Sequence, residues 1–197
     1  MDPVALFVAF GTIFLVELPD KTFLATLVLA TRYRPLFVWI GVGLAFTVQT
    51  GVAVLLGHAA SFLPDELVRG VAAGMFLLGA VLLFREGRSH HQSSGEEYVA
   101  NARDVHGVRQ VLTCFLVLFA AEWGDLSQLL TITLVTRFDD PLAVFVGALG
   151  ALLTVSALAV LAGQQLLRWI PLHVLHYIGA GVCLVLGLVT VYELIAG

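Results

Sequence analysis

Four carboxylates stand inside long apolar runs of this sequence: Glu17 and Asp20 within residues 4–30, Glu122 and Asp125 within residues 111–136. Each pair is spaced i, i+3, which on a helix separates the side chains by only about 60° of rotation, so a pair shares one face. The runs are long enough to span a bilayer, and the acids fall in their middle thirds, out of reach of the interface. A charged residue at the bilayer centre costs roughly 2.5–3.5 kcal/mol, so four facing lipid would cost on the order of 10 kcal/mol. Brought together, they would instead form an oxygen-rich, strongly negative cage suited to a hard divalent cation such as Ca²⁺ or Mn²⁺. Thr22 and Ser127 would add hydroxyl oxygens and Gln128 an amide oxygen, while Lys21 offsets one of the charges. The plainer alternative is a set of buried acids neutralised by protons or by Lys21, with a structural role only.

Each acid pair also brackets a residue that weakens a helix. Pro19 has no N–H to bond the Leu15 carbonyl, and Gly124 permits a similar loosening in the other run. Freed carbonyls at membrane depth are tolerated where they line a cavity, and transporters coordinate ions with discontinuous helices. An ordinary kink would use the same residues. Gln49, in the second apolar run, is a further candidate for the ion pathway, because its amide needs several partners. Thr50, Thr154 and Ser156 are expected to bond within their own helices or to a neighbour.

The elements that must hold these residues follow from composition. Of 197 residues, 59% are hydrophobic and 12% charged, with a mean hydropathy of +0.98; a soluble domain carries about a quarter charged residues. The formal net charge of −4 gives no basis for a nucleic-acid partner. The N-terminal stretch lacks a basic region and carries two acids, so it reads as a retained span rather than a secretory signal. Six apolar runs, 4–30, 36–59, 67–84, 111–136, 141–167 and 172–195, predict an all-α integral membrane protein of six transmembrane helices. Residues 85–110, rich in Arg, His, Ser, Glu and Gly, read as a solvated linker. Cys114 and Cys183 lie in apolar runs and read as packing residues. The glycines at 41, 43, 70, 74, 179 and 181 are expected to allow close helix packing. Arg32, Arg34, Arg85, Arg88, Arg103, Arg109 and Arg168 fall on one side of this arrangement, Arg69 and Arg137 on the other. The positive-inside rule then puts the linker in the cytoplasm and both termini outside.

The segments flanking the linker are related. Glu17, Asp20 and Thr22 recur 105 residues later as Glu122, Asp125 and Ser127, and Thr31-Arg32 as Thr136-Arg137. With one residue inserted, Pro35, Gly41 and Gly57 align with Pro141, Gly147 and Gly163; with a second, Gly74 and Glu86 align with Gly181 and Glu193. The organisation expected is a first three-helix repeat over 1–84, a cytoplasmic polar linker over 85–110 and a second three-helix repeat over 111–197. An odd number of helices makes the second copy enter the membrane from the opposite side. Such inverted repeats place a transporter's substrate site near the midplane, where they meet.

Glu17-Leu18-Pro19-Asp20-Lys21-Thr22 and Glu122-Trp123-Gly124-Asp125-Leu126-Ser127 resemble the duplicated Glu-x-Gly-Asp-(Lys/Arg)-(Thr/Ser) signature of the Gdt-type cation/proton exchangers. That family includes Golgi calcium/manganese transporters and bacterial manganese exporters, and the resemblance covers essentially the whole chain. It implies a transporter and not an enzyme, exporting Mn²⁺ or Ca²⁺ against protons, with the four motif acids as metal ligands and no cofactor besides the transported ion. The expected setting is a multi-pass protein of a bacterial plasma membrane, with a homo-oligomer left open. Two departures stand out: Pro19 replaces the usual glycine of the first motif and Leu126 the usual basic residue of the second. Leu126→Arg would restore a cation beside Asp125, provided that position faces the cage. Two rivals remain. An exporter of a small organic solute such as an amino acid wants a cationic anchor, for which Lys21 is the sole candidate at that depth. A metal-dependent membrane enzyme wants a nucleophile or histidine ligand there, and the sequence offers none.

Overall fold

The computed structural model describes residues 1–18, 20–60, 65–88, 107–169 and 172–196. Eight helices account for nearly all of them: α1 Pro3–Glu17, α2 Lys21–Arg32, α3 Pro35–Ala60, α4 Asp65–Arg88, α5 Arg109–Ala121, α6 Leu126–Phe138, α7 Pro141–Trp169 and α8 Leu172–Ala196. Prolines open α1, α3 and α7, where the missing N–H costs nothing and φ is already set for a helix. Asp2 caps α1 by accepting the Val4 N–H at 2.8 Å, and Asp140 accepts that of Ala143 at 3.0 Å. The third expected span, 67–84, lies on α4, which does not stop at residue 84 but continues to Arg88. His90 and His91, within the linker, lie outside the described residues.

α3 and residues Pro141–Leu161 of α7 are each long and apolar enough to cross a membrane. Two helix pairs pass the same test when each is taken as a unit, α1 with α2 bent by 68° and α5 with α6 by 73°, the geometry of a broken span or a re-entrant loop. α4 and α8 contribute the shorter apolar stretches Gly70–Arg85 and Ala180–Tyr192. Large apolar side chains such as Phe7, Leu55, Leu161 and Ile195 face outward, the surface a bilayer requires and water does not tolerate in such quantity.

Backbone contacts fix the direction of the broken pairs. At one end of the bundle the Asp2 N–H donates to Asp140, joining the start of α1 to the turn between α6 and α7, at 2.6 Å. At the other the Arg34 N–H meets the Gln110 amide oxygen at 3.4 Å, joining the α2–α3 turn to the start of α5. The path α1–α2 therefore runs from the Asp2/Asp140 end to the Arg34/Gln110 end, and α5–α6 runs back.

Packing repeats the same relation. α1 packs on α7, α3 on α5, and α3 and α7 on each other. A Cβ on Gly41 would strike the Val111 carbonyl and lie 2.8 Å from the Cys114 Cβ; one on Gly147 would strike the Leu6 carbonyl and lie 3.0 Å from the Ala9 Cβ. Phe10 and Phe14 stack at 5.7 Å in α1, and Phe115 and Phe119 at 5.4 Å in α5. Gly43 also lies close to its neighbour, Leu153 of α7. Gly70, Gly74 and Gly181 do not: a Cβ there would meet nothing within 4 Å, so these small residues are not used for close approach.

Candidate metal centre

The two breaks share one backbone contact. The Asp20 N–H donates to the Glu17 carbonyl at 3.1 Å, and the Asp125 N–H to the Glu122 carbonyl at 3.3 Å. This turn ends one helix at the glutamate and starts the next beside the aspartate, so both carboxylates of a motif are carried at one joint. In the second motif the joint passes through Gly124 at φ +77°, a left-handed conformation that glycine adopts without a Cβ clash. Proline holds φ near −65° and cannot take that route. Pro19 itself lies outside the described residues, as does the side chain of Lys21.

The two joints meet. Glu17, Asp20, Glu122 and Asp125 each offer a carboxylate oxygen, and these four oxygens lie within 4.8 Å of one another. Glu17 is fully buried, Glu122 is 3% exposed, and the aspartates are half-buried. Thr22 leans toward Glu17, yet neither completes a hydrogen bond of ordinary geometry, and both Glu17 oxygens are left without a hydrogen-bond partner among the described residues. The buried hydroxyls of Thr22 and Thr26 share that condition. A buried polar group left unmet costs roughly 1–3 kcal/mol, more if charged. Four convergent carboxylates, the Glu17 oxygens among them unmet, are the donor set of a hard cation, at a separation one ion can bridge.

The remaining candidates are placed differently. Ser127 is buried in the first turn of α6, where its carbonyl accepts the Thr131 hydroxyl at 2.8 Å. Gln128 turns back on its own motif. Its amide oxygen accepts the Gly124 N–H at 2.9 Å, and its amide nitrogen reaches the Gln49 carbonyl at 3.5 Å, so the oxygen expected in the cage is engaged by backbone. Gln49 is buried and donates at 3.0 Å to the carbonyl of Phe119, three residues before Glu122. Leu126 packs on α4, with its Cδ1 3.3 Å from where a Gly79 Cβ would stand. Thr154 and Ser156 bond carbonyls of their own helix, Gly150 at 2.7 Å and Leu153 at 3.0 Å. Thr26, one turn after Thr22 on α2, carries a buried hydroxyl that reading the motifs did not single out.

The fold and joint define a multi-pass, all-helical membrane protein with an acidic cluster held between two broken helices. The chain belongs to the divalent cation/proton antiporter family GDT1, which matches residues 5–91 and 110–197 and describes a transporter, not an enzyme. It is 29% identical over 209 residues to Protein PAM71, chloroplastic, of Arabidopsis thaliana, covering 95% of this chain and 56% of that protein. It is 28% identical over 160 residues to GDT1-like protein sll0615 of Synechocystis, covering 75% of this chain and 77% of the relative. With GDT1-like protein C17G8.08c of Schizosaccharomyces pombe it shares 27% over 237 residues, covering 96% and 82%. The chain spans a little over half the length of the chloroplast relative. No solved structure matches.

Proposed function

We propose that this chain exchanges a divalent cation, Mn²⁺ or Ca²⁺, for protons across its membrane, exporting the metal from the cytoplasm. Glu17, Asp20, Glu122 and Asp125 are the ligands, and Thr22 and Ser127 flank them. The observation that carries this reading is the meeting of four carboxylate oxygens within 4.8 Å at the joints of two broken helices. Metal and protons compete for the same oxygens: the cation binds when the acids are ionised, and protonation on the far side releases it. Access alternates as two inverted three-helix halves, 1–84 and 111–197, move against each other about the joints. The symmetric crossings at Gly41 and Gly147 support that division. The arginine-rich linker side is the cytoplasmic one, with both termini outside.

The test is flux in proteoliposomes loaded with a pH dye. Mn²⁺ or Ca²⁺ uptake is expected to drive protons the other way, with Mg²⁺, which keeps its waters, moved least. Metal flux with no accompanying proton movement would sink the exchange reading.

A further inference from the structure

Thr22 and Thr26 stand where the second half has Ser127 and Thr131, 105 positions later, but the hydroxyls are used differently. The Thr131 hydroxyl turns back and donates to the Ser127 carbonyl at 2.8 Å. Thr47, Thr113 and Thr133 make the same turn onto the carbonyls of Gly43, Arg109 and Leu129, a common way for a threonine within a helix to satisfy its hydroxyl. Thr26 has the Thr22 carbonyl one turn back and does not take it. It is 0% exposed and Thr22 is 2% exposed, and neither hydroxyl has a hydrogen-bond partner among the described residues.

The two hydroxyls share a face, since positions i and i+4 lie about 40° apart around a helix. Along α2 the buried stripe reads Thr22, Thr26, Leu29, and Leu29 already belongs to the main core. Apolar packing therefore closes the stripe at its far end. At its near end Thr22 leans toward Glu17, whose two oxygens are also unmet. A buried hydroxyl left unmet costs roughly 1–3 kcal/mol, and a buried water typically makes about three hydrogen bonds to such groups. Thr22, Thr26 and Glu17 supply three. Ca²⁺ takes about six to eight oxygen ligands, waters among them, which is more than one from each of four acids.

We propose that Thr22 and Thr26 hold one water against Glu17, and that this water is a ligand of the cation on the α2 side. Thr26 is then a positioning residue of the site. The proposal rests on the cage being the cation site. Thr26→Val keeps the shape of the side chain and removes the hydroxyl, whereas Thr26→Ser keeps the hydroxyl. In detergent T26V is expected to weaken Mn²⁺ binding by about tenfold, as loss of an outer partner of a metal ligand does, with T26S at the parent affinity. Thr131→Val, where the hydroxyl is already bonded to its own helix, is expected to bind as the parent does. Electron–nuclear double resonance of the bound Mn²⁺ in oxygen-17 water reads the ligand itself. A water coupling is expected in the parent and in T26S, and a reduced one in T26V. Either reading unchanged in T26V overturns the proposal for Thr26 alone. Equal losses of affinity in T26V and T131V overturn it too, since packing then accounts for both, and so does a T26S that binds as weakly as T26V. A parent that binds no Mn²⁺, or a Glu17→Gln variant that binds it as the parent does, overturns cage and water together. If T26V does not fold, Thr26→Ala removes the same hydroxyl with less bulk and is judged by the same two readings.

Discussion

Gly147 meets α1 atom for atom as Gly41 meets α5. A side chain on either would run into a carbonyl oxygen, a Cβ and an amide nitrogen, those of Leu6, Ala9 and Phe10 in one case and of Val111, Cys114 and Phe115 in the other. Each residue in the second set lies 105 positions after its counterpart in the first. The joints that carry the acids are therefore held by two equivalent backbone-on-backbone crossings, with no side chain between to give way.

This equivalence predicts matched costs. Gly41→Leu and Gly147→Leu are each expected to lower stability by about 1–3 kcal/mol through overpacking. The same change at Gly74, which faces open space, is expected to do little. Thermal unfolding in detergent checks the three together; a tolerated leucine at 41 or 147 would show that the crossing is looser than described.

Neutralising the acids is expected to remove the metal without removing the fold. Glu17→Gln, Asp20→Asn, Glu122→Gln and Asp125→Asn are each expected to weaken Mn²⁺ or Ca²⁺ binding by about tenfold or more, the equivalent of about 1.4 kcal/mol. The thermal midpoint without metal is expected to hold or rise, since a like charge leaves the cage. Titration in detergent beside a melting curve reads both. Undiminished binding in any two of the four would end the four-ligand account.

Leu126 is expected to behave as a packing residue. Leu126→Ala removes its contact with Gly79 of α4 and is expected to cost about 2 kcal/mol, the low end for leucine because the side chain is only partly buried. Divalent affinity is expected to stay at the parent value. A shift in affinity without a loss of stability would instead return this position to the site.

Asp140 carries a pH dependence of known sign. The Ala143 N–H, and after it the Asp2 N–H, hold its carboxyl below the usual carboxylate value. A group depressed on folding stabilises above its unfolded pKa, and that contribution disappears as pH falls through the folded one. Asp140→Ala is therefore expected to lower the melting temperature at neutral pH, with the gap to the parent closing on acidification. A gap that stays constant or widens with acid would contradict the ionised cap.

The acids were legible in the sequence because charge inside an apolar run is expensive and the i, i+3 spacing fixes a face. Gly124 marked one joint for an equally local reason, its freedom at positive φ. The orientation of Leu126, the turning back of Gln128 onto the Gly124 N–H and the unmet hydroxyl of Thr26 were not legible. Helices that are apolar nearly all round have no polar stripe to say which face turns inward. Gly70, Gly74 and Gly181 misled for the same reason: a small residue permits a close approach but does not show whether a neighbour makes one. What such helices touch is decided by the partner, as Gly41 and Gly147 show.

The closeness of the four carboxylates also bears on idle cycling. Two unit charges 4.8 Å apart repel by roughly 3.5 kcal/mol at an effective dielectric near 20. Stripped of both metal and protons, the cluster would hold several such pairs at once, two of its members almost wholly shielded from water. Any rearrangement that draws these joints further from solvent would raise that energy in the empty protein and not in a loaded one. In the proposed exchange this would slow the stroke with no passenger and tie one cargo to the other without a relay of distant contacts, through four acids with too little room to stay bare.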